Sequence, residues 1–508
     1  MQIVKRVVLL GVLLTIAFSI NAQTLEWGAK NKAKSKWYSP TVLSEDGEFV
    51  YSAHFDDENI VIEKHDSKGN IAYSNEIKLE KINGEKASIE TIKFIKDNFI
   101  LFVSCYDDSD DKAILYALSY SGNEGKKLGK EKKLFEAPVE KKKFKGSFII
   151  ITSKDLSKVL VNHYAFYKKE GKLKDRYKLF DSEMNEIMDK TEIIAKKEID
   201  YETSNYVIDN DGSIYFTKRM ESGESYIVSY DATKDYEKWE EEVDITELDR
   251  NQAVRSVKFA FDNNNDLIVA GICIEKKKNS KKGSSSGAEE INPLGAMYMK
   301  IDRKSKETKV LKIHKFPIET ILKVKDYGFF EQEMHFTANN ELVFINEIFH
   351  IGASPKMLIF TDAELVVAKF NSEGDFMWSK IIPKVQISTK MVSMGIKIGP
   401  SYVNVQYFGY VSGINSNKLF IAFNDNPKNL NLKDKKKVAP LQNRNKSVPM
   451  LYSIDLSTGE TEMKQFFDPK QIDTYIKTRV CFQKDYKSDI VSIAQNDGYY
   501  QVVRIKLN

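Results

Sequence analysis

Cysteine is nearly missing from this chain. Of 508 residues only three are cysteine, Cys105, Cys273 and Cys481. An odd number at wide spacing excludes a disulfide framework. Each lies in an apolar or alternating run ("LFVSCY", "AGICIE", "RVCFQ"), the setting of a buried thiol that packs as a small hydrophobe. No C-x-x-C and no H-x-x-x-H spacing occurs, so no zinc site is expected. The six histidines, His54, His65, His163, His314, His335 and His350, are scattered without an i+4 partner. Arginine is scarce among the basic residues, which are nearly all lysine, and arginine is the favoured reader of phosphates and base edges.

Long apolar runs are missing too, with one exception. Val7 to Ile20 follows Lys5 and Arg6 and precedes "NAQ". A bilayer-spanning helix needs about 20 apolar residues, so this run is too short. It reads as a signal peptide over residues 1–22, cleaved after Ala22 to leave Gln23 first. No cysteine stands at that site, so a lipoprotein anchor is not implied, and no transmembrane span is expected in the mature chain. Losing Lys5 and Arg6 takes the formal charge from +4 to +2. A protein so near neutrality does not bind nucleic acid on bulk charge.

What is present is a repeat. A polar turn leads into a β-rich run eight times. The copies begin "LSEDGEFVYS" (43–52), "IKDNFILFVS" (95–104), "SKDLSKVLVN" (153–162) and "IDNDGSIYFT" (208–217). They continue "FDNNNDLIVA" (261–270), "TANNELVFIN" (337–346), "GINSNKLFIA" (413–422) and "DYKSDIVSIA" (485–494). Asn, Asp and Gly tolerate left-handed backbone and close tight turns. A strand-like segment precedes each turn, as "VRSVKFAF" precedes the fifth. A second strand–turn–strand motif follows, as in "YIVSYDATKDYEKWEEE" and "LVVAKFNSEGDFMWSK". The unit is four antiparallel strands, A to D.

Such units repeated around the chain resemble the β-propeller superfamily. The Trp-Asp signature and the Asp-box pattern are both absent, so no named family is assigned. The resemblance implies an all-β ring of eight blades; seven follows if the third unit, from Lys154, merges with a neighbour. Two stacked β-sandwiches are the rival. The last unit supplies A, B and C strands and then the chain stops. "TLEWGAK" at the mature N-terminus matches D strands that carry Trp239 and Trp378, so Leu25 to Ala29 is expected to close the ring. Closure removes an open edge. Residues 23–508 then form one domain. The "NAQ" ending resembles exported envelope proteins of Bacteroidota-type bacteria.

A–B and C–D turns share one face of a propeller, and B–C and D–A loops share the other. Insertions are expected at 275–295, 349–364, 385–405 and 424–450, all on that second face. Loops held by a scaffold carry function. Candidate binding residues follow from position. Tyr402, Tyr407 and Tyr410, with Phe408, would stack on sugars or peptide side chains if they line the face, although core packing is their default. His350 lies in the 349–364 insertion. Lys435, Lys436 and Arg444 belong to a basic run that reads as a solvated loop or as a seat for an acidic partner.

No catalytic motif was found. "GSSSG" (283–287) has the letters of a nucleophile elbow without the strand and helix that hold one. "DNNND" (262–266) begins like a calcium loop but has Leu267 at the glycine position and Cys273 at the closing ligand. "DDSDD" (107–111) offers a weak calcium site or a solvated acidic turn. No carboxylate pair stands out for glycoside hydrolysis. No cofactor and no metal are expected. The reading is a non-catalytic, protein-binding scaffold in the periplasm or at the outer membrane. The alternatives are a glycan-binding or glycan-processing propeller and a structural part of a secretion or adhesion assembly, and release to the medium is the other localisation.

Overall fold

A computed structural model describes residues 25–507 apart from 35–38, 56–58, 83, 196–203, 220–224, 244–251, 277–290, 317–327, 355–356, 392–406, 416, 433, 435–436, 469–473, 485–488 and 497. The expected signal peptide lies outside the described residues.

The chain is an eight-bladed β-propeller of four-stranded antiparallel blades. The opening stretch shows why the units form. In blade five, strand Gln252–Phe261 turns at 262–266 into strand Leu267–Lys276. Asp262 N–H donates to Asp266 O at 3.1 Å, and Asn265 takes φ 65°. Asp262 Oδ1 accepts from the N–H groups of Asn264 and Asp266 at 2.9 and 3.0 Å, closing an Asx turn. Asn263 reaches into the next blade, donating from Nδ2 to Thr337 O at 3.0 Å. The run of Asn residues therefore closes its own hairpin and ties it to a neighbour.

The B and C strands read as nearly continuous apolar runs because both of their faces are buried. Ile268, Ala270 and Ile272 pack toward blade six with Phe344 and Val366. Leu267, Val269 and Cys273 pack toward blade four with Tyr215 and Ile227. Each of the other six seams between neighbouring blades holds a cluster of the same kind. This arrangement is radial, and it rules out two sandwiches. The third unit is a full blade, Ser147–Thr152, Lys158–Tyr167, Lys172–Asp181 and Glu186–Ala195, so the count is eight.

The N-terminal strand Leu25–Trp27 closes the ring as the outermost strand of blade eight. Its register pairs Leu25 with Ile505, Glu26 with Arg504 and Trp27 with Val503. Trp27 meets Phe467 edge-on at 5.1 Å. Gly28 N–H donates to Val502 O, and Ala29 N–H to Lys68 O in blade one, both at 2.8 Å. A Cβ on Gly69 would stand 2.7 Å from Gly28 Cα, so two backbones cross where only glycine fits. Among the described residues no helix is long and apolar enough to cross a membrane.

Candidate functional site: the loop face of blades six to eight

The expected 349–364 insertion lengthens two strands, while of the expected 275–295 insertion residues 277–290 lie outside the described residues. In blade five, strands Leu267–Lys276 and Ile291–Ile301 stay paired as far as Lys276 with Ile291. Blade six goes further. Strands Leu342–Ser354 and Met357–Phe370 pair from Leu342 with Phe370 to Ser354 with Met357, broken by a bulge between Glu347 and Phe349. Segment 349–364 is thus a hairpin arm. The start of the 385–405 segment joins it, since Gln386–Met391 pairs with Met357–Asp362 as a third strand. Phe349, Ile351, Leu358 and Phe360 share one face of this arm, His350, Ile359 and Thr361 the other. Ile351 is 52% exposed while Phe360 is buried.

The loop from Asp425 to Val448 is pinned at its base. Asn426 Nδ2 donates to Pro440 O at 2.9 Å. Asn429 Nδ2 donates to Ala439 O at 2.9 Å, and its Oδ1 accepts from Ala439 N–H at 2.8 Å. Leu441 bridges to the arm's third strand through Leu441 N–H to Val385 O and Ile387 N–H to Leu441 O, each 2.8 Å.

Beneath these elements lies a buried ionic cluster. Lys384 and Glu347 are both fully buried, with Nζ 2.5 Å from Oε1. Lys384 also donates to Gln386 Oε1 at 2.9 Å. Gln386 Nε2 donates to Asn424 O at 2.7 Å, and its Oε1 accepts from Gly409 N–H at 2.8 Å. Arg479 comes from the innermost strand of blade eight, where Ile476 pairs with Ala494 and Cys481 with Ser492. The residues between form a bulge that re-aims their side chains. Thr478 donates to Phe408 O of blade seven at 3.1 Å, and Lys477 to Ser39 Oγ ahead of blade one at 2.7 Å. Arg479 Nη2 reaches both Glu347 Oε2 and Asp362 Oδ2 at 3.2 Å. Burial raises the Glu347 carboxyl against the pull of Lys384 and Arg479, with Asp362 adding to the rise. Burial pushes Asp425 up to about 7, opposed by hydrogen bonds from Asn429 and Asn426 and by the charge of Lys384.

Glu347 and Asp362 share one guanidinium, and Glu347 has no solvent access, so they are not placed as an acid–base pair for hydrolysis. A second cluster lies on the inner strands of blades six and seven. His335 Nε2 stands 2.6 Å from Ser412 Oγ and 3.2 Å from Glu333 Oε2, and Ser412 donates to Glu333. One ring nitrogen serves both partners, whereas a relay needs the acid and the hydroxyl on opposite nitrogens. Ser412 is also buried.

The sequence-derived candidates fall as follows. Tyr407 packs with Phe408 and Leu441, and Tyr410 lies in the seam between blades six and seven. Their rings are 7% and 2% exposed, which is core packing. His350 is on the arm, half-buried. Arg444 begins the short 3-10 turn Arg444–Lys446. Tyr402, Lys435 and Lys436 lie outside the described residues. At 107–111 the carboxylates have protein partners: Asp107 accepts from Ser109, Asp108 pairs with Lys142, Asp110 with Lys112, and Asp111 accepts from Tyr106. Among the described residues no group of three or more His, Cys, Asp or Glu is arranged to hold a metal ion. Glu347, Asp362, Lys384, Asp425 and Arg479 were missed by sequence reasoning. Their one signal was charge inside apolar runs such as "LVFINEIFHIG".

No protein-family model matches the chain. No curated protein matches it. Solved structures are similar over most of the chain at low identity. Polysaccharide lyase Uly1 is similar at 10% identity and TM-score 0.41, over 94% of this chain and all of that one. The WD40 domain of SCAP from fission yeast is similar at 9% identity and TM-score 0.36, over 95% and 94%. Prolyl oligopeptidase B from Galerina marginata is similar at 12% identity and TM-score 0.38, over 92% of this chain and 55% of that one.

Proposed function

We propose that this propeller is a non-catalytic scaffold of the cell envelope that holds a protein partner on the loop face of blades six to eight. The observation that carries the reading is the arm. It extends blade six beyond the ring, displays Ile351 at 52% exposure, and stands on a base fixed by buried ions. Apolar side chains displayed on a rigid support suit protein recognition. Export rests on the N-terminal pattern of Lys5, Arg6 and the Val7–Ile20 run. The glycan alternative leaned on Tyr402, Tyr407, Phe408 and Tyr410; the last three are buried, Tyr402 lies outside the described residues, and Glu347 and Asp362 are held by Arg479.

A photo-crosslinking residue placed at Ile351, in the cell that makes the protein, tests the reading. A discrete protein adduct is expected there. The same group at Ile193, which is 58% exposed on the outer strand of blade three, should give none. Equal labelling at the two positions, or none at Ile351, refutes it.

A further inference from the structure

We propose that the lysine-rich turns where blade two meets blade three seat this propeller on an anionic lipid surface. The proposal goes beyond the docking reading. It concerns turns on the far side of the ring from the arm, and its test does not depend on what the arm holds.

Two stretches carry the charge. The connection from blade two to blade three, residues 139–146, holds Lys141, Lys142, Lys143 and Lys145 against Glu140 alone. The hairpin end at 167–174, where strand Lys158–Tyr167 turns into Lys172–Asp181, holds Lys168, Lys169, Lys172 and Lys174 against Glu170 alone. Hydrogen bonds bring the two together. Lys169 N–H donates to Glu140 Oε1 at 2.6 Å, and Tyr167 Oη donates to Pro138 O. His163 Nε2 lies 2.9 Å from Lys145 O. Val139 and Tyr167 pack in one buried cluster with Tyr106 and Ala165. Both turns therefore stand on a single packed base.

Of these lysines all but Lys174 are exposed. Lys142 pairs with Asp108 at 3.0 Å and Lys174 with Glu170 at 3.1 Å; the others have no ion pair among the described residues. The neighbouring turn of blade two, 107–111, brings four aspartates, and Val139 N–H donates to Asp111 O at 2.8 Å. Those aspartates reduce the positive charge without cancelling it, since the three stretches together still hold more lysines than carboxylates.

This pattern selects the chemistry of the partner. Unpaired lysines in excess attract anions. Lysine is a hydrated point charge without arginine's planar fork for one phosphate or carboxylate, and neither stretch contains arginine. The lysines stand on turns: Phe144 N–H donates to Lys141 O at 2.8 Å in the 3-10 turn Lys142–Phe144, and Gly171 N–H donates to Lys168 O at 3.3 Å. Charges on neighbouring turn tips suit a plane of head groups, where each basic residue strengthens binding by a factor of about five. Phe144, half-buried between Lys143 and Lys145, adds the aromatic side chain that accompanies lysine in interfacial segments.

Co-sedimentation with vesicles tests this, using the chain from Gln23 onward so that the apolar run Val7–Ile20 cannot insert. Binding is expected to phosphatidylglycerol–phosphatidylcholine vesicles and not to phosphatidylcholine alone, and it should fall as salt is raised. Lys141→Gln with Lys168→Gln should weaken it by roughly 25-fold. Lys304→Gln with Lys464→Gln removes the same charge from a turn of the opposite face and from the outer strand of blade seven, and should change it by less than about twofold. All four side chains are exposed, so circular dichroism should stay that of the parent. Absence of binding to the anionic vesicles overturns the proposal. So does equal binding to both kinds of vesicle, an equal loss in the two double variants, or retention by dextran sulfate or polyglutamate beads of a chain that no vesicle sediments.

Discussion

Lys384→Met removes one charge from beneath the arm and leaves the aliphatic stem to fill its space. The ammonium it deletes is fully buried and sits 2.5 Å from Glu347 Oε1 and 2.9 Å from Gln386 Oε1. Glu347, also fully buried, then keeps only Arg479 at 3.2 Å, which it shares with Asp362. An orphaned buried charge costs about 3–5 kcal/mol. Adding Glu347→Gln removes the orphan, and most of the loss should return, leaving about 1–2 kcal/mol for the hydrogen bonds that are no longer made. The two effects are then strongly non-additive. Urea unfolding followed by circular dichroism measures both variants; where unfolding proves irreversible, unfolding rates serve.

The pH dependence has a definite direction. Burial already raises the Glu347 carboxyl, and Lys384 is the first of the charges that oppose the rise. Without Lys384 the carboxyl moves higher still. Its stabilising proton is then present at low pH and lost as pH rises through the folded value, so the deficit of Lys384→Met should shrink on mild acidification. A double variant no more stable than the single one, or a single variant costing under about 1 kcal/mol, would refute the reading of Lys384 as the counter-ion of Glu347.

Ring closure can be tested separately. Trp27→Ala should cost on the order of 2–3 kcal/mol through lost packing on Phe467 and Val503, measured by thermal unfolding. Deleting residues 25–32 bares the edge of strand Tyr499–Ile505 and should produce oligomers on size exclusion. His163, buried with Nε2 2.9 Å from Lys145 O, has its imidazole pushed down to about 4 by burial. It should stay neutral by NMR at pH 5, and its contribution, up to about 3 kcal/mol, is present above its unfolded value and lost as pH falls through about 4. The Cys273 thiol, fully buried and pushed up to about 12 by burial, should resist maleimide in the native protein and react at once after denaturation.

Much of the ring was legible because its local signals are short-range. Asx turns such as 262–266 and the apolar runs after them lie within about ten residues of each other. The N-terminal closure could be read because Trp27 repeats a feature of other D strands. The third unit was weakest for a physical reason: its turn puts Leu156 at φ 59°, a conformation that leucine rarely adopts and that no turn residue announces. The arm was misread as an insertion because Gly352, Ser354 and Pro355 look like loop chemistry. Strands of 13 and 14 residues nevertheless reach Ser354 and begin at Met357. Arg479 and Glu347 stand 132 positions apart, so no spacing rule could join them.

Buried charge alone does not mark a working site, because the closure seam has its own. There Glu63 is almost fully buried, yet Oε1 accepts from Ser74 at 2.8 Å and Oε2 from Tyr500 at 2.6 Å, and His65 meets Ser52 at 3.0 Å. Both carboxylate oxygens are satisfied, and the network joins blade one to blade eight. Such a network specifies which strands meet. Asp425 differs in having one oxygen bare among the described residues and in accepting from the loop residues Asn426 and Asn429. A bare buried atom is by itself no mark of a working site, since His65 Nδ1 and Asn162 Oδ1 are also unsatisfied among the described residues.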